Sequence, residues 1–373
     1  MTGCASNISI RGLFYLEQQL TLHTQYSLFY ARGRQLGNYC GDTKSQQCNS
    51  RRQQRAEPVA ELILCNSTEI IIIMSSGEER AADEVCANCG KSAVDDVKLK
   101  KCACNLVKYC GVGCQRNHRP QHKKACKKQM AEIRGDRLFT LPEISHLGEC
   151  PICLLPLPLD MKKSTMFSCC SKLICKGCEY ANLKREAEEN LDHRCPFCRH
   201  PQPENDTECE KLALERVEKN DPVAMRQIGN KCVSEGDFER SFEYLTKAAA
   251  LEDMDAHYNL SLFYDQGYGG IERDPKKDLY HMEEAAIGGH PDARYNLGFV
   301  ENGKGRIDRA MRHFVIASKL GHDIALERVK LAFRMGLVSK EDYEAALRGH
   351  RAAVDATKSK QREEGYAFFN IGD

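Results

Sequence analysis

Fifteen of the chain's twenty-one cysteines lie between Cys86 and Cys198, a window of 113 of its 373 residues. They fall in pairs: Cys86-x2-Cys89, Cys102-x-Cys104, Cys110-x3-Cys114, His122-x3-Cys126, then Cys150-x2-Cys153, Cys169-Cys170, Cys175-x2-Cys178 and Cys195-x2-Cys198. With His122 there are sixteen donors, which divide into four sets of four. A structural zinc site is closed and tetrahedral and takes four Cys or His ligands, so the count fits four Zn2+ per chain with no ligand left over. On a helix the i, i+4 spacing of His122 and Cys126 brings both side chains to one metal. The compact C-x2-C-x2-C run of an iron–sulfur protein is absent.

Disulfides would be the alternative in a secreted protein. The early stretch Ile10 to Tyr30 is interrupted by Glu17, Gln18, Gln19 and His23, which leaves no signal-peptide core. The nearest thing to a membrane span, Ile70 to Met74, is five residues long, so no membrane partner is expected. An intracellular location, cytoplasmic or nuclear, is therefore expected, and there a C-x2-C pair means metal. The formal net charge is +1, and fifteen zinc-bound thiolates would take it to about −6, so the whole chain implies no strongly charged partner.

The first eight donors, with the connecting Tyr109-Cys110 and Cys114-Gln115, resemble a MYND-type zinc finger. That resemblance implies interleaved pairs: Cys86, Cys89, Cys110 and Cys114 on one zinc; Cys102, Cys104, His122 and Cys126 on the other. His118 competes for the second site. The family often binds proline-containing peptides through a Gln and a Trp. Here Gln115 is present, but Arg119 stands at the Trp position and the chain has no Trp. Lys98 to Lys128 holds ten Lys or Arg and no acid. This basic run is read as compensation for zinc–thiolate charge; with only Tyr109 available for base stacking, nucleic acid is not the expected partner.

The second eight, framed by Cys150-Pro-Ile-Cys153 and Cys195-Pro-Phe-Cys198-Arg199, resemble a RING finger of the all-cysteine type. The implied cross-brace pairs Cys150, Cys153, Cys175 and Cys178 on one zinc, and Cys169, Cys170, Cys195 and Cys198 on the other. RING fingers typically act as ubiquitin ligases by positioning a ubiquitin-charged conjugating enzyme. The resemblance places Ile152 and Pro196 against that enzyme and makes Arg199 the cation that braces enzyme and ubiquitin. Leu183 is the candidate to fill the groove where the family often has Trp. Such a ligase works by orientation and needs no nucleophile of its own, so no catalytic residue is assigned. Cys232 falls on the apolar stripe Ala224, Ile228, Cys232, and Cys209 has no nearby His; neither is expected to act as a thioester relay.

These clusters need elements to hold them, and the rest of the chain is repetitive. Ala224 to Gly229, Ala256 to Ser261, Ala293 to Gly298 and, more degraded, Ala325 to Lys330 are similar, with Ala-to-Ala spacings of 32, 37 and 32 residues. The first three are followed by small pairs, Ala248-Ala249, Ala285-Ala286 and Ala317-Ser318, where helices can approach closely. The pattern resembles Sel1-like repeats, which implies an α-solenoid whose concave face binds protein partners. Cys232 and Glu301 stand where the repeat's Tyr is expected.

The fold class expected is mainly α: two small cross-braced zinc modules followed by an α-solenoid of helix-pair repeats. The boundaries read as 1–82, a disordered or mis-started N-terminal segment; 83–128, the MYND-type finger; 148–200, the RING-type finger; 201–220, a linker and helix that separates the metal region from the repeats; 221–356, the repeats; and 357–373, a C-terminal tail. Three functions fit: a RING-type ligase with a conjugating enzyme and protein substrates as partners, a non-catalytic scaffold, or a nucleic-acid-associated regulator.

Overall fold

The computed structural model describes residues 85–93 and 98–371; the expected N-terminal segment 1–82 lies outside them. The described residues fall into two compact units that meet at Ala131 and Glu132, and each is taken by itself.

The first unit is built around metal donors rather than an apolar core. Two two-residue strands, β1 (Lys100–Lys101) and β2 (Lys108–Tyr109), pair antiparallel, and the long helix α1 (Val112–Phe139) follows. Its buried residues are Cys86, Cys102, Cys104 and Tyr109, with His122 beside them. A domain this small cannot bury enough apolar surface to stand alone, which is why such a module depends on metal.

The second unit begins with the last turns of α1. Its metal-donor region has strands β3 (Ser164–Phe167) and β4 (Lys172–Cys175) in antiparallel register, Ser164 opposite Cys175, and then helix α2 (Lys176–Glu188). Helix α3 (Asp206–Glu218) starts at Asn205, whose side chain accepts from the Glu208 N–H. The repeats follow as helix pairs: α4 (Pro222–Ser234) with α5 (Phe238–Ala250), α6 (Met254–Gln266) with α7 (Pro275–Ile287), α8 (Pro291–Gly303) with α9 (Ile307–Lys319), and α10 (Asp323–Arg334) with α11 (Lys340–Ala356). The last helix is α12 (Lys360–Phe368).

The repeated alanines are the packing points. Ala224, Ala256, Ala293 and Ala325 are all fully buried, as are Ala248, Ala285 and Ala317 in the paired helices. Gly298 shows how tight the approach is: a Cβ there would lie 2.4 Å from the Phe314 ring. The first helix of each pair is capped three residues before its alanine, by Asp221, Asp253, His290 and His322 in turn. A cap accepts an orphan N–H of the first turn, and a neutral imidazole Nδ1 does this as a carboxylate would. Glu301, the departure from Tyr, is buried and held by Arg306 (2.8 Å) and Arg309 (3.0 Å), so a charge network replaces the ring.

Two segments depart from the expected boundaries. The 201–220 stretch does not separate the metal-donor region from the repeats: Ala213 of α3 packs with Ile228 and Cys232 of α4. The 357–373 segment, expected as a tail, forms α12 and docks along α2. Between the two metal-donor regions, residues 132–146 form a strap across the repeats. Arg134 pairs with Glu283 and Glu284 at 2.6 Å each, Leu138 is buried, and Arg309 and Arg312 lie over the Phe139 ring. The second metal-donor region and the repeats therefore make one packed body instead of standing apart.

Candidate metal centres

Four loops share one backbone design. In each, the N–H of the residue after a Cys pair donates to the carbonyl of the first Cys: Gly90 to Cys86, Asn105 to Cys102, Leu154 to Cys150, and Arg199 to Cys195, at 2.9–3.0 Å. That residue is left-handed every time, with φ of 71°, 59°, 56° and 61°. Each turn folds its cysteines inward like a knuckle. Glycine and asparagine adopt this conformation readily, whereas leucine and arginine do so at a cost of about 1–2 kcal/mol.

The knuckles complete four donor sets: Cys86, Cys89, Cys110 and Cys114; Cys102, Cys104, His122 and Cys126; Cys150, Cys153, Cys175 and Cys178; and Cys169, Cys170, Cys195 and Cys198. Within each set the ligand atoms lie within 4.8 Å of one another. These are the groupings expected from the sequence. Within the sets, sulfurs lie 3.5 Å apart for Cys110–Cys114, 3.6 Å for Cys89–Cys110, 3.8 Å for Cys102–Cys126, 3.8 Å for Cys153–Cys175 and 3.4 Å for Cys169–Cys198. Sulfurs about 2.3 Å from a tetrahedral zinc stand about 3.8 Å apart, while disulfide sulfurs are bonded at about 2.0 Å. None of the fifteen cysteines is in a disulfide. His122 Nε2 lies 3.1 Å from Cys104 Sγ, whereas His118 turns its Nδ1 to the Tyr109 hydroxyl at 3.0 Å and is no ligand. Gln115 and Arg119 are exposed on α1.

Thiol chemistry in these sets fits a divalent cation. The backbone N–H of Cys110 pulls the Cys86 thiol down to about 6, while the Cys114 thiol beside Cys110 pushes Cys110 up to about 12. Cys150 is held well below the usual thiol range by Cys175 and Cys178, and Cys150 in turn pushes Cys175 up to about 11. Cys195 is lowered to about 2, chiefly by Cys169. Sulfurs packed this closely oppose one another's ionisation, and a bound divalent cation would offset the charge of the thiolates.

The second region presents its knuckles outward. Ile152 is 41% exposed, Leu154 67% and Phe197 44%. Pro196, expected at the docking surface, is buried instead, and its neighbour Phe197 takes the outward place. Leu183 is only partly buried. Its neighbour Asn182 is buried and donates to Glu186, also buried, at 2.7 Å and to the Arg194 carbonyl at 3.2 Å. Its Oδ1 accepts from Arg199 Nη1 at 2.7 Å, so the candidate bracing cation is tethered to α2. Nothing in the sequence marked Asn182. Cys209 and Cys232 are both buried, as a structural role requires.

A fifth group, His146, Asp255 and His290, is not a metal site. The two imidazole rings stack at 4.2 Å and 15°, so their in-plane lone pairs do not converge on a point about 2 Å from both nitrogens. His290 Nδ1 caps α8 by accepting from the Ala293 N–H, and its Nε2 faces Asp255 at 3.3 Å. One repeat later His322 caps α10 and its Nε2 meets Asp292 at 3.0 Å. The group is thus one rung of a cap-to-carboxylate ladder, joined by His146 from the strap.

Two stretches of the chain match known family models. Residues 86–126 match the MYND finger model; residues 222–253, 255–290 and 291–322 match the Sel1 repeat model. The chain carries a MYND finger and Sel1 repeats. It is 31% identical over 101 residues to ORF96 of Ostreid herpesvirus 1 (isolate France), a protein named for a RING finger, covering 27% of this chain and 38% of that one. It is 29% identical over 91 residues to chitin synthase regulatory factor 4 of Schizosaccharomyces pombe, covering 24% of this chain and 14% of the relative. Among solved structures it is similar to the Sel1 repeat protein of Oxalobacter formigenes (22% identity, TM-score 0.34, 48% of this chain, 69% of that one) and to the antigen c5321 of uropathogenic Escherichia coli (20%, 0.34, 46% and 39%). The chain thus spans well under two thirds of the curated relatives' length. Its parts are those of a zinc-binding protein-interaction scaffold, and no helix among the described residues is long and apolar enough to cross a membrane.

Proposed function

We propose that the four donor sets take one Zn2+ each and that residues 148–200 act as a RING-type finger, positioning a ubiquitin-charged conjugating enzyme while the MYND finger and the repeats hold protein partners. One observation carries this reading: two alternating Cys4 sets bring forward paired knuckles that leave Ile152, Leu154 and Phe197 in solvent. Leaving such apolar groups exposed on a small module, one of them in a strained conformation, makes sense as a docking surface. The similarity to a protein named for a RING finger supports the same reading.

In ubiquitin transfer a substrate amine attacks the thioester carbonyl, the C–N bond forms, and the conjugating enzyme's cysteine leaves as the thiol. This chain supplies no atom to that step. Ile152 and Phe197 would dock the enzyme, and Arg199 would fix the orientation of enzyme and ubiquitin, lowering the entropic part of the barrier. Autoubiquitination by the full chain against a panel of conjugating enzymes tests it.

A second reading, a scaffold without ligase activity, draws on the Arg199–Asn182 hydrogen bond. A cation tethered to its own helix is less available to brace a bound partner. Four zincs with no transfer from any conjugating enzyme would favour the scaffold.

A further inference from the structure

Arg362, on the first turn of α12, is only 1% exposed, and its acceptors are peculiar. Its guanidinium donates to the carbonyls of Pro156 (2.7 Å), Thr357 (2.8 Å) and Leu155 (3.0 Å) and to Cys153 Sγ (3.4 Å). No carboxylate is among them. Burying a guanidinium without a counter-charge is costly, and carbonyl dipoles alone do not neutralise it. The nearest source of negative charge is the set Cys150, Cys153, Cys175 and Cys178, which as a zinc tetrathiolate carries −2. Next to Arg362, Gln361 Nε2 donates to the Gly177 carbonyl at 3.1 Å and faces Cys178 Sγ at 3.7 Å. The two helices can come this close because Gly177 meets Arg362 and Gly365 meets Lys176, positions where a Cβ would lie 2.7 Å from backbone.

We propose that α12 supplies the outer shell of this metal site, with Arg362 as the positioning residue that offsets thiolate charge and orients Cys153, so that zinc retention at one of the four sites is controlled by a segment about 200 residues downstream. This inference rests on the zinc occupancy proposed above. Outer-shell hydrogen bonds to ligands tune metal affinity, and their loss costs about 10–100-fold. Any partner or cleavage that lifts α12 away would selectively weaken this one site.

The test uses the full-length protein and its Arg362→Met and Arg362→Lys variants. Zinc release to a chromogenic chelator is followed alongside alkylation mapped cysteine by cysteine. In Arg362→Met one zinc of four should leave about tenfold faster or more, with new labelling confined to Cys150, Cys153, Cys175 and Cys178. Arg362→Lys, which keeps the charge but not the fork of donors, should fall in between, and it carries the test if the Met variant does not fold. In cobalt-substituted protein, losing the N–H···S bond should move a thiolate-to-cobalt band to longer wavelength. Unchanged release with an unchanged band overturns the proposal. So does uniform labelling of all four sets together with buried Cys232, which would mean general loosening. A wild-type chain that holds no zinc would overturn the zinc reading and this inference with it; four stably held zincs with no effect at Arg362 would overturn this inference alone.

Discussion

Arg362 Nη2 and Cys153 Sγ lie 3.4 Å apart although 209 residues separate them in the chain. This contact closes the second unit: the polypeptide leaves the second metal-donor region, runs through four helix pairs, and returns to brace the site where it started. The second metal-donor region is therefore packed against the chain at both ends of the repeats.

Gly365→Ala tests that closure. In an isolated helix the change would favour helix by about 1 kcal/mol. Here the new Cβ would meet the Lys176 carbonyl oxygen at 2.7 Å, and overpacking costs about 1–3 kcal/mol. The clash is against backbone, which cannot swing aside, so the net effect should be destabilising. A lower urea midpoint for the full chain is the expected result, and an unchanged or higher midpoint would mean that α12 is not seated this tightly.

Leu154 should be held for function against stability. At φ 56° and 67% exposed it is strained and unburied, while Gly90 shows that the same knuckle accepts glycine. Leu154→Gly should raise the stability of the second region by about 1 kcal/mol, since the left-handed cost of about 1–2 kcal/mol is partly offset by glycine's greater unfolded entropy. It should also weaken binding of a conjugating enzyme, measured by calorimetry with zinc content held at wild-type level. Unchanged binding would remove Leu154 from the docking surface.

His313 makes the second unit sensitive to acid. It is fully buried beside Phe139, and burial, reinforced by Arg294, pushes it down to about 3; Arg309, Arg312 and Glu301 are the other charges facing it. An unfolded histidine titrates near 6.5, so below that pH the unfolded chain takes up a proton that the folded chain refuses. Stability is full above about 6.5 and falls as the pH drops toward 3, by about 1.4 kcal/mol at pH 5.5 from this residue. Both ring nitrogens lack a partner, so His313→Leu should be neutral or stabilising at pH 7.5. The drop in unfolding free energy from pH 7.5 to 5.5 should shrink by about 1.4 kcal/mol in the variant. Zinc loss on acidification is common to both proteins and cancels in that comparison; an equal drop in both would contradict the assignment.

Much of this was legible in the sequence because metal ligands and close-packed alanines declare themselves by spacing. The count of sixteen donors fits the four sets seen, grouped as the two finger resemblances imply, and every repeated alanine is buried. Other features depend on tertiary context. The caps Asp221, Asp253, His290 and His322 recur at a fixed place, but two residue types share the position, which hid the period. Asn182 and Arg362 are polar residues in ordinary helical text: the loop that carries Arg194 and Arg199 gives Asn182 its partners, and the chain's return to the second metal-donor region gives Arg362 its own. Pro196 and Phe197 show the limit of carrying a contact over by resemblance: which neighbour faces out is decided by the knuckle's backbone.

The most direct measurement is discharge of ubiquitin from a charged conjugating enzyme to free lysine, with the full-length chain and its Arg199→Ala and Ile152→Ala variants, each shown to hold four zincs. The wild type should accelerate discharge. Arg199→Ala should lose most of that acceleration while still binding the enzyme, because its contribution is made in the reactive pose rather than in the resting complex. Ile152→Ala should lose it through weaker binding, by about 1–2 kcal/mol. A wild-type chain that carries four zincs and speeds discharge from no conjugating enzyme would contradict the RING-type account and leave the scaffold in its place.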